Sequence, residues 1–136
     1  MLQSDGRCPN TRIAEAVGLS ESAVRQRIGR LLDDGVMQIV AVTDPMQLGL
    51  RRMAMLGIRA DGPIDEVAAR CEAIPEADYV VSTAGSFDLL VEVVVEDDDD
   101  LFRLMNESVR TIPGVRSAEI FMYLKLHKQT YAWGTV

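Results

Sequence analysis

The chain has 136 residues, 48% hydrophobic and 26% charged, with a formal net charge of -7. That length holds one ordinary domain, or a small module joined to a moderate one, and the composition excludes a disordered chain. Two widely separated cysteines, Cys8 and Cys71, exclude a disulfide framework and a CxxC zinc site. No apolar run reaches bilayer length, and the first residues lack the basic and apolar parts of a signal peptide, so a cytoplasmic protein with no membrane partner is expected.

The charge is unevenly divided. Residues 1–60 carry eight arginines against six acids, a balance of +2, whereas 61–136 carry six bases against fifteen acids, a balance of -9. A nucleic-acid contact is therefore expected from the first part. Ile13, Ala14 and Val17 have helical spacing, Gly18-Leu19 interrupts it as a turn does, and Ser20 is a natural N-cap. Val24, Ile28, Leu31 and Leu32 then recur at i, i+4, i+7 and i+8, which predicts a helix over 21–34 with one buried stripe, ended by Gly35. The β-branched stretch 36–43 reads as a short linking strand, broken by Asp44-Pro45.

Beyond Pro45 the pattern becomes strand, helix, strand, strand, helix, strand. Strands are expected at 52–60, 79–84, 88–96 and 115–128, and helices at 64–73 and 98–111, the latter two stopped by Pro75 and by Pro113-Gly114. A βαββαβ order in this length predicts a ferredoxin-like sandwich with both helices on one sheet face. Yet the third and last strands are apolar on both sides: Leu89, Val91, Val93 and Val95 alternate with Leu90 and Val94, and Ile120, Met122, Leu124 and Leu126 with Phe121 and Tyr123. Two helices cannot cover two faces, so a homodimer through the sheets is expected.

Ala14, Gly18 and Val24 supply what a helix-turn-helix needs: a small residue at the helix crossing, a turn residue tolerant of positive φ, and an apolar lock on the reading helix. Helical projection turns Ser22, Gln26, Gly29 and Arg30 outward, with Arg25 and Arg27 flanking the buried stripe. Ser20 and Ser22 suit phosphate oxygens, Gln26 suits adenine, and Arg25 suits guanine or phosphate. The same residues also read as an ordinary basic solvated helix. In the second part, a turn over Thr83, Ala84, Gly85, Ser86, Phe87 and Asp88 exposes backbone N–H groups beside a carboxylate, which together suit the two ends of an amino acid. It reads equally as a plain hairpin turn.

Competing chemistry is thin. The run Glu96-Asp97-Asp98-Asp99-Asp100 precedes a helix, where Asp caps free N–H groups, and it lacks the Gly and terminal Glu of an EF-hand loop, so no metal is expected. His127 is the single histidine and has no adjacent nucleophile motif, so no enzyme and no cofactor is expected. Met53, Met55, Met105 and Met122 read as core or interface filling, and Tyr131 and Trp133 as packing on a neighbour or as a tail.

These segments together resemble the Lrp/AsnC, or feast/famine, family of transcription regulators. The resemblance rests on Asp5-Gly6-Arg7, the run 13–24, Arg27, Leu31, Asp34-Gly35-Val36, Asp44-Pro45, Leu48-Gly49, the run 83–88, Pro113-Gly114-Val115 and Lys128-Gln129-Thr130. It implies an α+β chain with two parts. Residues 1–44 would form a winged helix-turn-helix module with its linker strand. Residues 45–136 would form a ferredoxin-like, RAM-type domain that binds an amino-acid effector at 83–88 and assembles to dimers, then to a tetramer or octamer. Double-stranded DNA is the implied partner. Family members carry a helix before the Asp5-Gly6-Arg7 equivalent, of which Leu2-Gln3 alone stands here, so the module is expected to be short of core. The alternative implied reading is an amino-acid sensor that does not bind DNA.

Overall fold

A computed structural model describes residues 1–129; Thr130, Tyr131 and Trp133 lie outside the described residues. Two compact units are present, Met1–Val42 with residues 127–129, and Thr43–Leu126.

In the first unit, α1 (Asn10–Val17) and α2 (Glu21–Asp33) are joined by a tight turn. Gly18 makes that turn at φ 66°, a left-handed conformation that a Cβ would strain, and its N–H closes on Ala14 O. Ser20 Oγ then accepts the free N–H of Ala23 at 3.2 Å and starts α2. Ala14 and Val24, the latter 3% exposed, are the buried side chains of the two helices. The expected stripe is only partly covered, since Leu31 and Leu32 are each 40% exposed and Val17 is exposed too. Two helices bury what lies along their line of contact and nothing beyond it. Ile13, Val17, Val24, Ile28 and Leu31 therefore border an open apolar groove of about 370 Å³, into which Met1 and Leu2 also face.

No strand forms at 36–43, which corrects the expectation of a linking or wing strand. Val36, Ile39, Val40 and Val42 are exposed there. β-Branched residues favour extended backbone, but a strand also needs a ladder partner, and the described residues offer none here.

The second unit opens with a 3-10 turn, Pro45–Leu48, and then runs β1 (Arg52–Ala60), α3 (Ile64–Glu72), β2 (Ala77–Ser82), β3 (Leu89–Val95), α4 (Asp98–Arg103) and β4 (Val115–Met122). After Arg103, α4 continues as a π-helical segment, Leu104–Val109. The four strands form one antiparallel sheet in the order β2-β3-β1-β4, the ferredoxin-like arrangement. Register puts Ala54, Leu56 and Ile58 of β1 opposite Val93, Val91 and Leu89 of β3 on one face. These residues join Val67 and Cys71 of α3 and Leu101, Leu104, Met105 and Val109 of α4 and its extension in one buried cluster. Burial in that cluster raises the Cys71 thiol above its ordinary pKa, with the Glu72 charge adding to the shift, so this sulfur is an inert core atom.

The acidic run starts α4 as expected: Asp97 Oδ1 accepts the N–H of Asp100 at 2.9 Å. Asp98 grips Arg52 of β1 with both oxygens, and Asp100 pairs with Arg103. β4 ends at Met122, short of the predicted boundary, so Leu124 and Leu126 fall outside the sheet and are exposed. No helix among the described residues is long and apolar enough to cross a membrane.

Candidate functional site

Two candidate surfaces stand out, one in each unit. On α2, Arg25 is 73% exposed at its side chain, and Ser22, Gln26 and Arg30 are exposed as helical projection requires. Glu21, Ser22, Arg25 and Gln26 share one shallow recess of about 510 Å³ beside the start of the helix. Arg27 lies apart from them, on the rim of the apolar groove with Ile28 and Leu31. Ser20 is committed first to capping, and its Oγ also shares a 3.0 Å hydrogen bond with Ser22 Oγ. Arg25 is held by Glu21 one turn earlier, at 3.0 Å. The positive balance read over residues 1–60 is not a property of Met1–Val42. Five arginines and five acids lie within Met1–Val42, while Arg51, Arg52 and Arg59 belong to the second unit. Any electrostatic footprint therefore comes from the placement of Arg25, Arg27 and Arg30 on one helix and not from bulk charge.

In the second unit the β2–β3 connection, residues 83–88, is closed at its base. Thr83 N–H donates to Asp88 O at 2.9 Å, and Thr83 Oγ donates to Phe87 O at 2.6 Å. Asp88 clasps the end of β1. Its N–H donates to Ile58 O at 2.9 Å, and its Oδ2 accepts the N–H of Ala60 at 2.8 Å, just where β3 has ended and the ladder supplies no acceptor. The carboxylate expected from the sequence to meet an effector thus has one oxygen engaged by the fold; a carboxylate has capacity for further donors at the other. Above this base, the N–H groups of Ala84, Gly85, Ser86 and Phe87 have no acceptor among the described residues. A Cβ at Gly85 would meet nothing within 4 Å, and its φ is not positive, so the chain itself imposes no requirement for glycine there.

Three residues the sequence did not single out, Gly57, Arg59 and Glu119, complete the loop's setting together with Phe121. A Cβ on Gly57 would lie 2.7 Å from the Phe87 ring, so the ring sits directly on the strand backbone. Arg59 Cζ stands 4.4 Å from the centre of that ring, and Phe121 of β4 meets its edge at 5.6 Å between centroids. Arg59 also donates from Nε to Ser86 O at 2.9 Å and from Nη1 to Glu119 Oε1 at 2.7 Å. The available signal was an arginine followed by alanine at the end of an otherwise apolar strand.

The sheet face away from the helices carries Met53 and Met55 of β1, Leu90 and Glu92 of β3, Tyr79 and Val81 of β2 and Phe121 of β4. No element of the second unit covers it: Tyr79 is 52% and Phe121 46% exposed. Burial first, and then the Glu92 carboxylate beside the hydroxyl, raises the Tyr123 pKa to about 12.

Comparison with known proteins gives a consistent set of matches. Residues 1–32 match the profile of the AsnC-type helix-turn-helix domain, and residues 50–136 match that of a C-terminal dimeric alpha+beta barrel domain of AsnC-type regulators. The chain is 32% identical over 132 residues to the HTH-type transcriptional regulator FL11 of Pyrococcus horikoshii, covering 96% of this chain and 87% of the relative. Among solved structures, the leucine response regulatory protein LrpA of Mycobacterium tuberculosis superposes with a TM-score of 0.84 at 31% identity, over 94% of this chain and 88% of that one. The transcriptional regulator NMB0573 of Neisseria meningitidis, in complex with L-Met, superposes with a TM-score of 0.84 at 25% identity, over 96% and 87%.

Proposed function

The chain belongs to the Lrp/AsnC family of transcription regulators, a family of DNA-binding proteins and not of enzymes, and from that premise we propose how its own residues divide the work. α2 enters the major groove. Arg25 and Gln26 meet base edges or phosphates, Ser22 and Arg30 contact the backbone, and Arg27 reaches a flanking phosphate from the groove rim. The observation that carries this reading is the lock of α1 on α2. It buries Ala14 and Val24 and leaves Ser22, Arg25, Gln26 and Arg30 exposed together.

The loop 83–88 binds the effector, a free amino acid. Its unengaged N–H groups take the carboxylate, and the remaining Asp88 oxygen takes the ammonium. Two copies associate through the bare sheet faces, and dimers assemble further at the effector loops. Occupancy then changes operator binding only insofar as the ligand favours one assembly over another. The protein acts in the cytoplasm, where operator and metabolite meet.

Binding of fluorescent duplex DNA, measured against salt concentration, tests the first assignment. Arg25→Ala is expected to weaken binding and lower the salt slope by about one, as loss of one phosphate contact does, while Gln26→Ala weakens preferred sequences by about 1–3 kcal/mol over random ones. Unchanged curves for both variants would remove these residues from the reading surface.

A further inference from the structure

We propose that Arg59 is the positioning residue of the effector loop, holding residues 83–88 in the shape that receives the amino acid; this rests on the effector-site reading given above. Two contacts of one guanidinium reach the loop, and a third ties the same group to the neighbouring strand. Nε binds Ser86 O at 2.9 Å, in the middle of the segment whose N–H groups are free. The guanidinium plane covers Phe87 at 4.4 Å, and Nη1 is aimed by Glu119 of the neighbouring strand at 2.7 Å.

The chemistry needs arginine. A carbonyl bound at Ser86 fixes the peptide plane that it shares with the Phe87 N–H, and that plane sets where this N–H points. An ammonium is one compact point charge; it can follow the carbonyl or the carboxylate but presents no planar fork to hold both while lying on the ring. Gly57 makes the arrangement possible, because any side chain there would lift Phe87 off the sheet and away from Arg59. Arg59 sits at the β1–β4 irregularity, where the register shifts between Arg59 and Ala60, so its backbone is held by the sheet and its side chain alone spans to the loop.

The twenty standard L-amino acids, titrated one at a time into the full chain by calorimetry, identify the ligand to use. For that amino acid, Arg59→Lys is expected to raise Kd by about tenfold, the scale of one lost charge-assisted hydrogen bond. Glu119→Gln, which keeps an oxygen acceptor but loses the ion pair, is expected to raise Kd by about threefold, since exposed pairs contribute little by themselves. Thermal midpoints of both variants should stay with the parent, which separates positioning from a structural role. Affinity unchanged in Arg59→Lys overturns the positioning role while leaving the effector site standing. Affinity that falls only in step with the thermal midpoint in both variants also overturns it. If the parent binds none of the twenty, the effector-site reading fails and takes this proposal with it.

Discussion

Gly57 and Asp88 show how single residues serve the fold and the site together. The Phe87 ring occupies the place where a Gly57 side chain would begin, 2.7 Å from an ideal Cβ. Gly57→Ala must push the ring away, and overpacking of this kind costs about 1–3 kcal/mol; urea unfolding should show the loss, and an unshifted midpoint would mean that the ring moves freely. Asp88 would have two separable duties in the proposed effector site, because Oδ2 holds Ala60 N–H at 2.8 Å while its charge is what an ammonium requires. Asp88→Ala leaves that half-buried N–H without a partner, a loss of about 1–3 kcal/mol. Asp88→Asn can keep the Ala60 bond through its amide oxygen and lose only the charge. Asn is therefore expected to unfold like the parent but bind amino acid weakly; calorimetry showing parent-like affinity would take Asp88 out of ammonium recognition.

At the scale of elements, α2 is built from local instructions that work within a turn or two. Ser20 caps it, Val24 anchors it to α1, and Glu21 pairs with Arg25 at i,i+4. In the proposed DNA complex this last pair is a competitor, since Arg25 would leave Glu21 to reach a phosphate or a guanine. Glu21→Gln removes the competing charge and a repulsion toward phosphate, and it should tighten duplex binding by about twofold at low salt, an i,i+4 pair being small. Weaker binding in that variant would show that Glu21 orients Arg25 and does not restrain it. The stretch 36–43 teaches the converse: its side chains ask for a strand, yet no partner strand lies among the described residues and none forms.

For the whole molecule, the decisive feature is a sheet with helices on one face only. The bare face is largely apolar, with Glu92 beside Tyr123 and with Arg59 and Glu119 paired on it. The folded pKa of Tyr123, about 12, lies above its ordinary value of 10. The fold therefore favours the neutral phenol: this contribution is complete below pH 10, declines from there toward pH 12, and is gone above it. Ultraviolet titration of the phenolate should show one tyrosine ionising late, and Glu92→Gln should bring it back toward the ordinary range. Simultaneous ionisation of all described tyrosines near the ordinary value would contradict the Tyr123–Glu92 pairing.

Much was legible before any coordinates: the turn at Gly18, the cap at Ser20, the Ala14–Val24 lock, the βαββαβ order and the two-sided apolar strands. Each of these depends on residues a few positions apart, where periodicity and turn chemistry act directly. What tertiary structure alone decided joins distant positions: Phe87 on Gly57, Arg59 between Ser86 and Glu119, Asp88 on Ala60, and which strand face the helices leave bare. Those meetings exist only once sheet register is set, and register is a property of paired strands that no single segment carries.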